Sequence, residues 1–167
     1  LNNLSEGDSL AYTWTVTPQQ GVSFAEGDTN SESPKLLFSE PGDYDVRLAV
    51  SNGCHHDDDS VFRIKAFAIP RVRIGDIADQ CEPFHFIGRE RVEVDQRNDK
   101  IQQVHWTITA NQGYASEGYT LVNGTDLKSY YPDIDFKTCD YTVVAAYKNR
   151  CKTPGQAVFQ VKVDKFI

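Results

Sequence analysis

The 167 residues are 40% hydrophobic, 11% aromatic and 25% charged, too apolar for a disordered segment and enough for one large domain or two small ones. A formal net charge of −7 repels phosphate backbones and argues against nucleic acid as a partner. No apolar run approaches the roughly 18 residues that span a bilayer, no signal pattern opens the chain, and Leu1 in place of an initiator Met points to a fragment or a processed form.

Val, Ile, Thr and aromatic residues punctuated by Gly, Pro, Asn and Asp, with few windows of helical period, predict an all-β protein. In chain order, the first segments are YTWTVTP (12–18), GVSF (21–24), SPKLLF (33–38) and GDYDVRLAVSNGC (42–54), followed by FRIK (62–65). A short link over 67–70 leaves no flexible spacer before the next unit. Beyond it, alternation predicts strands at 71–77, 84–94, 103–110, 119–121, 129–135, 141–147 and 157–163, the seven of a minimal sandwich. Trp106 and Ile108 fall on one strand face, and Tyr141, Val143 and Ala145 on another, so these faces should bury against each other.

The two halves repeat one unit. GDYDVRLAVSNGC (42–54) aligns without a gap on CDYTVVAAYKNRC (139–151), matching Tyr44, Asn52 and Cys54 to Tyr141, Asn149 and Cys151. FRIK continues as FQVK (159–162), and WTVT (14–17) as WTIT (106–109). The expected domains are 1–68 and 69–167. Trp106 lies 36 positions after Pro70, but only 13 residues precede Trp14. Counterparts of the N-terminal strands of the first sandwich are therefore missing: either the sequence starts within this domain, the favoured reading, or a strand from elsewhere covers the open core and sheet edge.

YTWTVTP, GVSF, SPKLLF and PGDYDVRLAVSNGC (41–54) together resemble the polycystic-kidney-disease (PKD) repeat. The likeness is to the variety found in arrays on secreted Bacteroidota proteins, including SprB-type gliding adhesins. It covers 1–68 closely, and the second unit more loosely through IADQC (77–81), WTIT, YTLVNGT (119–125) and DYTVV (140–144). WTVT and WTIT stand where the better-known PKD subgroup carries a WDFGDG-type signature. The resemblance implies tandem immunoglobulin-like sandwiches, secretion by a type IX route and a non-catalytic structural or adhesive role. The expected partners are neighbouring repeats of the same polypeptide and surface glycans or surface proteins, on the outer face of a Gram-negative cell. The alternative is a carbohydrate-binding or spacer module of a secreted hydrolase.

Several side chains could carry chemistry. His55, His56, Asp57, Asp58 and Asp59 form a cluster able to hold a cation, calcium through oxygens or zinc and nickel through imidazoles, although such an acidic run is more often a solvated loop. No other cofactor is expected. Asp133 with Asp135, and Glu90 with Glu93, pair carboxylates as a glycosidase would, yet acidic residues are abundant here and no GxSxG elbow or cleft-forming insertion accompanies them. Tyr130 with Tyr131, and Tyr114 with Tyr119, could form a glycan platform or simply pack inward. Asp8-Ser9-Leu10 and Asp59-Ser60-Val61 look like the Asp-Ser-aliphatic O-glycosylation acceptor of secreted Bacteroidota proteins, which makes Ser9 and Ser60 candidates in loops. Asn123-Gly-Thr125 fits the eukaryotic acceptor pattern.

Cys54, Cys81, Cys139 and Cys151 lack zinc-ligand spacing and fit disulfides in an oxidising compartment better. In an immunoglobulin-like topology, the loops before the second and sixth strands share an end, which would bring Cys81 to Cys139. Cys81 with Cys151 is the competing pair, and Cys54 would need a partner at the opposite end.

Overall fold

A computed structural model describes residues 9–52, 57–111 and 118–165. The chain divides into two compact units, 1–68 and 69–167. In the first, β1 (Ala11–Thr17), β4 (Gly42–Ser51) and β5 (Asp57–Ala66) form an antiparallel sheet in the order β1-β4-β5. A two-stranded sheet of β2 (Val22–Glu26) and β3 (Lys35–Phe38) faces it. Alternation sends Trp14, Val16, Tyr44, Val46, Leu48 and Val50 into one core, with Val22, Phe24, Leu36 and Phe38 half-buried against them. The pleat period of two accounts for this sorting.

The second unit contains β6 (Arg71–Ile74), β7 (Gln80–Cys81), β8 (Phe84–Ile87), the helical turn α1 (Gly88–Arg91) and β9 (Val92–Asp95). It continues with β10 (Gln103–Ala110), β11 (Tyr119–Val122), β12 (Asp133–Phe136), β13 (Cys139–Lys148) and β14 (Gly155–Asp164). One sheet runs β10-β13-β14-β7, and facing it are β11-β12-β8 and the pair β6-β9. Phe86 bridges the layers, edge-on to Trp106 at 6.0 Å and stacked on Phe159 at 5.7 Å between ring centroids. Trp106, Tyr141, Val143 and Ala145 are buried as expected, and Ile108 packs half-buried beside them. Both units are all-β and immunoglobulin-like.

The strand boundaries need four corrections. First, the continuous strand expected over 84–94 is two strands in different sheets, β8 pairing with β12 and β9 with β6. The chain changes sheet at Gly88, whose N–H donates to the Pro132 carbonyl at 2.9 Å; a Cβ at Gly88 would sit 2.4 Å from that oxygen. Second, the expected strand at 71–77 ends at Ile74, and the separate strand β7 pairs in parallel with β14. Third, the strand expected from residue 129 begins at Asp133, because Ser129 closes a turn onto Asp126. Fourth, Asp57, Asp58, Asp59 and Ser60 lie in β5, where a loop was expected.

Corresponding residues perform the same local tasks in both units. Tyr44 donates its phenol O–H to the Glu40 carbonyl at 2.8 Å, and Tyr141 donates to the Lys137 carbonyl at 2.9 Å. This is the tyrosine corner of sandwich folds. The backbone N–H of Trp14 donates to Thr29 and that of Trp106 to Leu127, both at 2.8 Å. Each acceptor sits in a turn of one pattern, Asp28-Thr-Asn-Ser31 or Asp126-Leu-Lys-Ser129, in which the Ser hydroxyl accepts the Asp N–H.

Among the described residues, the first unit has no counterpart of β6, β7, β8 and β9. The edge of β3 away from β2 and the edge of β5 away from β4 therefore carry no strand. Phe62, which the repeat equates with the packed Phe159, is 43% exposed.

Candidate functional site

In each repeat, a shallow groove runs beside the tryptophan strand. In the first unit it is lined by Thr13, Trp14, Thr15, Val16, Val22 and Phe24, with a volume of about 560 Å³. In the second, Gln102, Gln103, Val104, His105 and Lys128 line one of about 510 Å³. Apolar surface makes up the larger share of the lining in both, and the side chains that contribute it differ. The turns beside the grooves are held by ionised carboxylates. The Asn30 N–H, then the Ser31 hydroxyl, lower the pKa of Asp28, and the Lys128 N–H does most to lower that of Asp126. Elsewhere in the second unit, burial raises Asp99, but the Arg150 N–H and guanidinium, at 3.1 and 3.0 Å, outweigh it and hold the carboxyl low.

Tyr130 and Tyr131 meet edge to face at 4.7 Å with their planes at 70°. At that angle the two rings do not form one flat platform. Both pack half-buried against the core; Gln96 donates to the Tyr130 hydroxyl at 3.3 Å, and Arg89 sits 5.7 Å from the Tyr131 centroid. Tyr147 donates its phenol to the Tyr130 carbonyl, and burial raises the Tyr147 pKa, with Tyr130 and Tyr131 adding to the effect. Tyr119 tilts against Phe136 at 6.3 Å, and Tyr114 lies outside the described residues.

Of the carboxylate pairs, Asp133 and Asp135 are already engaged. Asp133 accepts from Asn123 at 2.9 Å and from the Gly88 N–H at 3.3 Å, and Asp135 pairs with His85 on the outer face. Glu93 stands across from Arg73 and Asp95 from Arg71, an exposed ladder of opposite charges on β6 and β9. Glu90 is exposed on α1.

Of the cation candidates, His55 and His56 lie outside the described residues. Asp59 binds Arg47 at 2.5 Å, so this carboxylate serves a cross-strand ion pair. Among the described residues, no group of three or more His, Cys, Asp or Glu converges on a common point. Ser9 is exposed at a bend and Ser60 is exposed on β5. Cys81, Cys139 and Cys151 are free thiols, and Cys54 lies outside the described residues. The expected Cys81–Cys139 pairing is corrected by strand order. Cys139 pairs with Val163 on one side of β14, and Cys81 pairs with Asp164 on the other. Two strand spacings of about 4.8 Å separate the cysteines, beyond the roughly 7 Å reach of a disulfide. Nor is the alternative partner, Cys151, bridged to Cys81.

Facing sheets, paired tyrosine corners and a tryptophan in each core define tandem immunoglobulin-like β-sandwich modules. Residues 1–64 match the family model of the PKD domain, so the first unit is a PKD-like repeat. No curated protein matches the chain. Among solved structures, EC21–23 of human CDH23 is similar at 14% identity, covering 99% of this chain and 67% of that one, with a TM-score of 0.48. The fibronectin(III)-like modules of Clostridium thermocellum CbhA give 10% identity, 96% and 82% coverage and a TM-score of 0.36. Domains 4 and 5 of the S-layer protein SbsC give 12% identity, 92% and 70% coverage and a TM-score of 0.29. Among the described residues, no helix is long and apolar enough to cross a membrane.

Proposed function

We propose that this chain is a non-catalytic, extracellular repeat segment of a large cell-surface adhesin, acting as stalk or weak multivalent contact. The observation that carries this reading is the duplication itself: two sandwiches share the tyrosine corner, the Trp N–H anchor and the Asp-x-x-Ser turn. Selection on a catalytic pocket would concentrate change and constraint in one place. What the two units share is the frame, as expected of modules arrayed in series.

The PKD match over 1–64 supports this reading. The likeness of PGDYDVRLAVSNGC to repeats of SprB-type gliding adhesins extends the proposal to a type IX-secreted protein on the outer face of a Gram-negative cell, with a part in gliding motility. Neighbouring repeats and surface glycans or proteins are the proposed partners. Ser9 and Ser60 are exposed where an O-glycan could attach in that setting.

The test combines mechanics with a glycan array. Pulled from its two ends, the segment should give two separate unfolding events, and on the array it should show no tight, selective ligand. Tight selective capture of one polysaccharide would move the assignment to a carbohydrate-binding module of a secreted hydrolase.

A further inference from the structure

We infer that the outer face of the β10-β13-β14 sheet is a weak homotypic contact, which stacks on the same face of a second copy of this chain. The inference rests on the reading of the chain as a weak multivalent contact and names the partner.

Strand register builds the face. His105, Ala146 and Gln156 form one cross-strand row, Thr107, Val144 and Val158 the next, and Thr109, Thr142 and Gln160 the third. These side chains alternate with the buried ones and so point away from the core, and Val158, in the central row, is 62% exposed. None of them is Asp, Glu, Lys or Arg, in a chain that is 25% charged. The charged residues of the same face, Asp140, Lys148 and Lys162, stand at its two ends. The Thr142 hydroxyl lies 2.8 Å from Asn111 Oδ1 and 3.0 Å from Gln160 Oε1, so part of the polar demand is met within the face.

The first unit carries the opposite chemistry at the corresponding positions. There Arg47 binds Asp59 at 2.5 Å and Arg63 binds Asp45 at 3.0 Å across the same three strands. The repeat equates Arg47 with Val144, Asp59 with Gln156, Asp45 with Thr142 and Arg63 with Gln160. Covering the first face would dehydrate two ion pairs. On the second face, the same burial dehydrates only hydroxyls, amides and aliphatic groups, at lower cost.

Charge and area select the occupant. Two chains of net charge −7 repel, so close approach is least opposed where neither presents a charge. A twofold contact sets the face against itself, and Thr, Gln and His carry the donors and acceptors that such self-pairing needs. The three rows hold no Phe, Tyr or Trp on which a sugar could stack. At about 4.8 Å between strands and about 6.8 Å between alternate residues, the rows cover roughly 300 Å² per copy, about 600 Å² for the pair, short of the roughly 1,200 Å² of a stable complex. The contact is therefore weak singly and gains strength by repetition.

The test follows the amide resonances of the whole chain as its concentration rises from tens of micromolar to low millimolar. Thr107, Val144, Val158 and Gln160 should shift together, while Thr15, Arg47 and Val61 stay still. Val158→Lys, at an exposed site, should weaken the association at least tenfold, and Val61→Lys, at the corresponding site of the first unit, should leave it unchanged. Added NaCl should preserve or strengthen the association by screening the net negative charge. Absence of shifts at low millimolar protein, shifts centred on the first unit, or equal association in Val158→Lys would overturn the inference. So would loss of association in salt, which would assign it to ion pairs. Shifts at Thr107, Val144 and Val158 that need cellohexaose and not protein concentration would overturn it in favour of a neutral glycan. The two unfolding events expected of the stalk are independent of all these outcomes, so the contact and the wider reading fail separately.

Discussion

Tyr141 places its phenol O–H 2.9 Å from the carbonyl of Lys137, four residues back, and 2.6 Å from that of Gly118. One proton thus serves two loop carbonyls and ties the start of β13 to the chain that precedes β11. Tyr44 makes the i−4 bond at Glu40. Tyr141→Phe should cost about 1–3 kcal/mol, and Tyr44→Phe about 1 kcal/mol, because removing a donor strands its acceptors. Urea denaturation followed separately through each unit checks the order.

The two repeats should respond unequally to truncation of corresponding core residues. Phe86→Ala removes a fully buried ring between the layers and should destabilise the second unit by about 3–5 kcal/mol. Phe62→Ala removes a ring that is already substantially exposed and should change stability by less than about 1 kcal/mol. Equal losses in thermal melts would contradict the exposure of Phe62.

Gly88 is held by proximity. A methyl group there would meet the Pro132 carbonyl oxygen at 2.4 Å and its nitrogen at 2.9 Å, both backbone atoms that yield only by moving β12. Gly88→Ala should therefore cost about 1–3 kcal/mol. It should also weaken amide protection in β8 and β12 before that in β13, as measured by hydrogen exchange.

Acid should loosen the Asp-x-x-Ser turns. Asp28 and Asp126 have folded pKa values below the ordinary carboxylate value of 3.8, so the unfolded chain binds more protons than the folded one through this range. Their contribution is present above about pH 4 and is lost as pH falls through the lowered folded values. In Asp28→Asn and Asp126→Asn, the acid limb of a stability-versus-pH curve should flatten between about pH 4 and 2.

Cys81 is exposed and Cys139 buried, on opposite flanks of β14. A thiol reagent should label Cys81 in the native protein and Cys139 only after unfolding. Recovery of an intact Cys81–Cys139 bridge by non-reducing peptide mapping would contradict this strand order.

Much of this architecture was legible in the sequence because aromatic residues mark its fixed points. Trp14 and Trp106, Tyr44 and Tyr141, and Phe62 and Phe159 keep their order and place the strands that carry them. Asp28-x-x-Ser31 and Asp126-x-x-Ser129 also repeat, but an insertion between the Trp and Tyr anchors shifts their spacing and hides the match. The break at Gly88 was concealed for a different reason. Its four-residue turn restores the even phase of Phe84, Phe86, Val92 and Val94, so alternation reads straight through a change of sheet. β7 is two residues long and offers no period. The tyrosine pair at 130–131 reads as a strand from its β propensity, which turn chemistry at Asp126 outranks in the structure. Cysteine placement failed at the level of strand order, which spacing along the chain does not encode.

The passage from β8 through α1 to β9 has a consequence for how the second unit comes apart. Four residues join β8 to β9, which belong to the two separate sheets that face β10-β13-β14-β7, so those two sheets share a short covalent hinge beside the Phe86–Trp106 contact. Peeling either of these small sheets off the core drags the edge of the other with it, leaving no part of that face to persist alone. The second unit should therefore melt in a single cooperative step, with van't Hoff and calorimetric enthalpies in agreement.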